Sequence, residues 1–225
     1  MVGQWENNGE AMKKTEDEAA VQHKRRLPSD ERRAQIVDVA LSLVAKYGVR
    51  GTTLSRIAAG VGVTHPALYA HFSNRQEILL AVLDALFERI RDVHRSSAQE
   101  NALERLRDIG IYHTKLLASA EDGFVFPLFE FIAASPEEGL REALGLRQRA
   151  LAQDLANIVR EGQKQGTICA EADPEQVGWL LTCRAWTEDV AVLMGVTDDW
   201  NEARSNQLLD LIIGSIAVPQ TTRSD

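Results

Sequence analysis

The stretch Thr64-His65-Pro66-Ala67-Leu68-Tyr69-Ala70-His71-Phe72-Ser73-Asn74-Arg75 combines short polar, aromatic and cationic side chains suited to a grooved, anionic surface. At its leading end His65 can hydrogen-bond a base edge, while Pro66 and Ala67, next to Thr64, offer apolar contact to a thymine methyl. A phosphate contact from His65 is the equal alternative. Tyr69 and His71 flank apolar Leu68 and Phe72 and are placed to reach phosphates; plain surface residues on a core helix are the alternative. Asn74 and Arg75 stand at a helix start, where backbone N–H groups and a guanidinium can hold another phosphate. Thr53, Ser55 and Arg56, slightly upstream, can meet the DNA backbone or a groove edge.

Catalytic chemistry is not expected. There is no Gly-rich phosphate loop, no HExxH and no GxSxG. His23 sits in a polar tail, and His94 and His113 lack an obvious partner at metal or triad spacing. The two cysteines, Cys169 and Cys183, form no CxxC pair. Neither a metal site nor a cofactor is expected. A second set of residues suits an apolar cavity. Phe124, Phe126, Phe129 and Phe131 cluster around Pro127 in what reads as a kinked segment. Tyr112, His113, Phe129, Arg147, Trp179 and Trp186 are candidate liners for a fairly hydrophobic small molecule. Aromatics at helical spacing can equally be plain core.

These residues need helices to position them, and the apolar periodicity supplies helices throughout. After Ser29-Asp30-Glu31, Ile36, Ala40, Leu43, Val44 and Tyr47 share one face, and Gly48 ends the run. Thr53 opens a short helix with Leu54, Ile57, Ala58 and Val61 buried. After a Gly60-Val61-Gly62-Val63 turn, Thr64 opens a third helix with Pro66 in its first turn. Asn74 with Glu77 forms a capping-box variant for a fourth helix reaching about residue 95. Further helices are expected near 100–119, 124–134, 137–165, 174–194 and 200–217, broken at Asp122-Gly123, Ser135-Pro136, Gly166-Thr167 and Asp173-Pro174. No segment alternates with period two, so the expected fold class is all-α, with about nine helices and no sheet.

The last two helices are apolar on more than one face. Trp179, Cys183, Trp186, Val190 and Leu193 form one stripe, while the final helix carries Leu208, Leu209, Leu211, Ile212, Ile213 and Ile216. Packing one face in the domain and another against a second copy gives a two-fold homodimer; burial within one domain is the alternative.

The net charge of −8 is unevenly spread: −3 over residues 1–23, +5 over 24–95 and −10 over 96–225. Double-stranded DNA is drawn to the middle module and repelled by the last. The expected division is a disordered arm at 1–23, a helix-turn-helix domain at 24–80 with its linking helix to about 95, and an effector-binding and dimerisation domain at 96–218. No stretch is long and apolar enough for a membrane helix, and the polar N-terminus is no secretory signal. A cytoplasmic chain is expected.

Three helices, the last two joined by a glycine-containing turn, describe a helix-turn-helix. The residues Gln35-Ile36-Val37-Asp38-Val39-Ala40, Tyr47-Gly48, Thr52-Thr53, Ile57-Ala58, Gly62-Val63-Thr64, Leu68-Tyr69-Ala70-His71-Phe72, Arg75 and Ile78-Leu79 resemble the DNA-binding domain of the TetR family. Arg75 stands where that family often has Lys, and the tail before residue 24 exceeds the family minimum. The resemblance implies a two-fold dimer, a palindromic operator, and repression released by a small effector. The competing reading keeps the DNA-binding domain but makes the chain an architectural or partner-recruiting protein with no small ligand.

Overall fold

The computed structural model describes residues 28–118 and 125–219. The expected arm 1–23 and Phe124 lie outside these residues. Among the described residues there are nine α-helices and no strand. They are α1 Ser29–Gly51, α2 Leu54–Val61, α3 His65–Tyr69, α4 Arg75–Ser96, α5 Ala102–Ala118, α6 Val125–Ile132, α7 Leu140–Gln165, α8 Pro174–Met194 and α9 Glu202–Ile216. A 3-10 turn, Pro136–Glu138, precedes α7. A single bridge between Ile168 and Ala217 ties the end of α9 to the α7–α8 connection.

The helix ends follow side-chain chemistry with three local departures. Ser29 is already helical, Pro28 takes the capping position, and Thr64 makes no capping hydrogen bond. Thr53 does cap α2, accepting from the Arg56 amide, and Asn74 accepts from the Glu77 amide at 2.8 Å. Glu77 returns its carboxylate to Ser73 N–H, not to Asn74 as a strict capping box requires. Gly62 terminates α2 in the left-handed region, which turns the chain sharply into α3. Gly48 breaks the regular geometry of α1 at φ 69°, and a further turn follows to Gly51. In α6, Pro127 falls in the first turn of an uninterrupted helix, where its missing N–H costs nothing, so the expected kink is absent.

The apolar stripes pack as two clusters. The first joins Ile36, Ala40 and Val44 of α1, Ile57 and Val61 of α2, Leu68, Phe72, and Ile78 to Phe87 of α4. It continues into Leu128 and Phe131 of α6 and Leu140, Leu144 and Leu151 of α7. Tyr47, expected on the buried face, is exposed beneath the Arg56 guanidinium, 4.5 Å from its ring. The second cluster joins α5, α7, α8 and α9 through Leu106, Leu155, Val159, Leu181, Leu209 and Ile213. The two clusters do not divide at one point of the chain: α6 and the start of α7 share an apolar core with the first three helices. A rearrangement in either helix is felt across that seam, because close-packed cores transmit strain.

Candidate nucleic-acid interface and effector cavity

The short α3 stands outward from Leu68, its one fully buried side chain. Thr64, His65, Pro66 and Tyr69 are exposed, and Ala67 is half-buried. Tyr69, at 53% exposure, keeps its hydroxyl in solvent. Thr53, Ser55 and Asn74 are exposed on the same module. His71 is half-buried; its Nδ1 lies 3.5 Å from Ser29 Oγ, and its carbonyl accepts from Arg33. Arg33 also stacks 3.8 Å over Phe72 and pairs with Glu77 at 3.1 Å. One arginine of α1 thus clamps both ends of the α3–α4 turn, a role that neighbouring residues in sequence do not reveal.

Two cations expected at phosphates are engaged within the protein. Arg56 donates to Gly51 O at 2.7 Å while covering Tyr47. Arg75 is turned inward: Nε donates to Thr52 O at 2.7 Å, one terminal nitrogen to Val49 O, and the other to Glu138 at 3.0 Å. Its guanidinium fork suits three acceptors fixed around one plane. The α4 start is therefore held against the α1–α2 turn and the 3-10 turn at once. Glu130 of α6 completes the arrangement, accepting from the Val49 amide at 2.8 Å.

A partly open cavity of about 60 Å³ lies between α4, α5, α6, α7 and α8. Ile90, Leu106, Ile109, Leu151, Leu155 and Leu181 supply apolar wall, and Trp186 one aromatic face. Of the six expected liners, His113 and Trp186 are in that wall. Phe129 packs behind Trp186, edge-on at 5.3 Å. Arg147 reaches out to Asp84 of α4 at 2.6 Å. Tyr112 and Trp179 are exposed and lie outside this cavity.

One end of the cavity is polar. Arg184 and Glu188, both nearly inaccessible, pair at 2.7 Å, and Arg184 also donates to Thr114 Oγ1 at 2.7 Å. Glu188 meets His113 Nδ1 at 2.6 Å and accepts from Thr114 at 3.1 Å. His113 therefore has a partner after all, 75 residues away in sequence. Beside them Asp189 is buried, with its Oδ1 unpartnered and 3.6 Å from His113 Nε2. Burial pushes the Asp189 carboxyl up to about 6, against a smaller opposing pull from His113. His94, whose Nδ1 is also unpartnered, is driven down to about 4, chiefly by burial and then by His113 and Arg91. Among the described residues no cluster could hold a metal ion, and no helix is long and apolar enough to cross a membrane.

A helix-turn-helix joined through a long helix to a cavity-bearing helical domain defines a DNA-binding regulator of the helical-sensor class. Residues 36–82 match the bacterial regulatory proteins of the tetR family. That match covers the DNA-binding module, which is similar to that of the TetR family. It is 27% identical over 169 residues to the HTH-type transcriptional repressor KstR2 of Mycobacterium tuberculosis, covering 70% of this chain and 79% of that one. Its fold aligns with FadR from Bacillus subtilis in complex with stearoyl-CoA at TM-score 0.62 and 25% identity, over 81% and 98% of the two chains. It aligns with AibR in complex with isovaleryl coenzyme A and operator DNA at TM-score 0.56 and 21% identity, over 84% and 99%.

Proposed function

We propose that the chain is a homodimeric repressor that holds a palindromic operator and releases it when a small apolar effector enters the cavity. The observation that carries this reading is the reach of α4. Asn74 caps its N-terminus beside the DNA-facing helix, and Ile90 and His94, about four to six turns further on, are cavity wall. A molecule wedged against the far end tilts the helix that positions the near end. The named repressor, and the fold shared with FadR in complex with stearoyl-CoA, support the same cycle.

In this reading Thr64, His65, Pro66 and Ala67 face base edges, while Thr53, Ser55, Arg56, Tyr69, His71 and Asn74 meet the sugar-phosphate backbone. Arg56 and Arg75 act chiefly by holding the module's shape, given their internal acceptors. The dimer forms through the apolar faces that α8 and α9 leave uncovered: Trp179, Leu180, Leu193 and Met194, with Leu211 at 71% exposure. An isologous helix pair from each copy buries them.

Footprinting of the purified chain on fragments around its own gene tests the reading. The expected result is one protected palindrome, its half-sites on the order of one helical turn apart or somewhat more. Its affinity should fall steeply with salt. Equal affinity for all fragments at physiological salt would overturn it.

A further inference from the structure

At the polar end of the cavity two buried atoms lack partners. Asp189 Oδ1 and His94 Nδ1 are both buried in the wall without a hydrogen-bond partner. Gln148 and Thr182 also line the wall, and Thr182 donates to Gly178 O at 2.9 Å. Arg184 engages Glu188, Thr114 and Ser205, and His113 is held by Glu188. An ionised carboxylate and a neutral imidazole nitrogen can each accept a hydrogen bond, and leaving them unmade in a dry wall is costly. Arg184 is offset by Glu188, and His113 stands between Glu188 and Asp189, at 2.6 and 3.6 Å.

We infer that the cavity selects apolar molecules bearing a hydrogen-bond donor, an ammonium or a hydroxyl, seated on the Asp189 carboxylate, and rejects the matching carboxylates. The inference rests on the cavity being the effector site and adds the chemistry of what it takes. The nearby cations offer an acid no alternative seat. Arg91 pairs with Glu88 and Asp154, Arg95 with Glu88 and Asp92, and Arg105 with Glu161. The surrounding module, at −10 over residues 96–225, steers cations toward it and anions away. The apolar wall and Trp186 accommodate the ligand's body, and the donor fixes its orientation.

The test is calorimetric titration of the full chain with three compounds of one skeleton: phenylbutylamine, phenylbutanol and phenylbutyrate. The amine and the alcohol should bind at least about tenfold more tightly than the acid. In Asp189→Asn the amine should lose about tenfold or more, because a charge-assisted bond becomes a neutral one. The alcohol should stay within about threefold, since the amide oxygen still accepts. Leu151→Trp, which fills the wall, should abolish all binding. Equal affinity for the three compounds, blocked by Leu151→Trp, keeps the cavity as the effector site and overturns the donor selectivity. Binding that ignores Leu151→Trp overturns both, and tighter binding of the acid, or no binding of the amine and alcohol, overturns the selectivity. The wild-type comparison stands even where Asp189→Asn fails to fold.

Discussion

Glu130 accepts a hydrogen bond from the Val49 backbone amide at 2.8 Å, joining α6 to the turn that leads into the DNA-facing helices. The preceding residue makes this contact possible. Gly48 sits at φ 69°, and a Cβ there would lie 2.3 Å from Glu130 Oε2. Together with the Arg75–Glu138 pair, it gives the cavity-bearing helices two direct holds on the DNA-binding module.

Gly48→Ala should therefore destabilise on two counts. A left-handed residue with a side chain costs about 1–2 kcal/mol, and the carboxylate must leave its amide. Glu130→Ala should lose about 1–3 kcal/mol by stranding the partly buried Val49 N–H. Urea unfolding midpoints at a common slope measure both. Unchanged midpoints would mean the contact contributes nothing.

Within the DNA-facing residues, Tyr69→Phe should weaken all sites alike, because a phosphate contact carries no sequence information. His65→Ala should relax preference at one base pair, by about 1–3 kcal/mol on the best operator. Arg75→Lys should behave as a folding variant, since an ammonium cannot serve Thr52, Val49 and Glu138 together. Anisotropy on the operator and on scrambled DNA, beside a thermal melt of each variant, separates the three roles. Equal loss on both DNAs for His65→Ala would remove it from base reading.

The dimer face distinguishes neighbouring residues of α9. Leu211 is exposed, whereas Ile212 is 5% exposed and packed into its own domain. Leu211→Glu should yield a folded monomer, and Ile212→Glu a chain that melts early, since a buried unpaired carboxylate is costly. Sedimentation velocity with circular dichroism reads both. A dimer surviving Leu211→Glu would move the interface elsewhere.

The cavity's two strained groups pull stability in opposite directions with pH. His94, lowered from 6.5 to about 4, contributes stability present above pH 6.5 and lost as pH falls toward 4. Asp189, raised from 3.8 to about 6, contributes stability present below 3.8 and lost as pH rises toward 6. Each is worth about 3 kcal/mol across its window. Relative to wild type, His94→Gln should gain stability as pH drops from 7.5 to 4.5, and Asp189→Asn should gain as it rises. Parallel curves for variant and wild type would refute the assignment.

The helices were legible because strong apolar periodicity and Gly, Pro and Asn punctuation agree along nearly the whole chain. Side-chain direction was less so. Tyr112 and Trp179 fit helical spacing, yet only packing decides which of two apolar faces turns inward. The partners that matter most lie far apart: Glu188 meets His113 across 75 residues, and Glu130 meets Val49 across 81. No local pattern encodes such pairs. Arg75 likewise reads as a phosphate ligand by position, and its inward turn depends on carbonyls exposed by the break at Gly48.

The central claim is that cavity and operator bias one equilibrium, so each ligand must alter the other's affinity by the same factor. The direct measurement is a calorimetric titration of a cavity ligand, one whose binding Leu151→Trp abolishes, with and without saturating operator. Coupling of about 1–3 kcal/mol predicts affinity roughly 5–150-fold weaker on operator, with an equal loss of operator affinity when the ligand saturates. Identical affinities in both titrations would contradict the account and leave a DNA-binding protein whose cavity has no say in release.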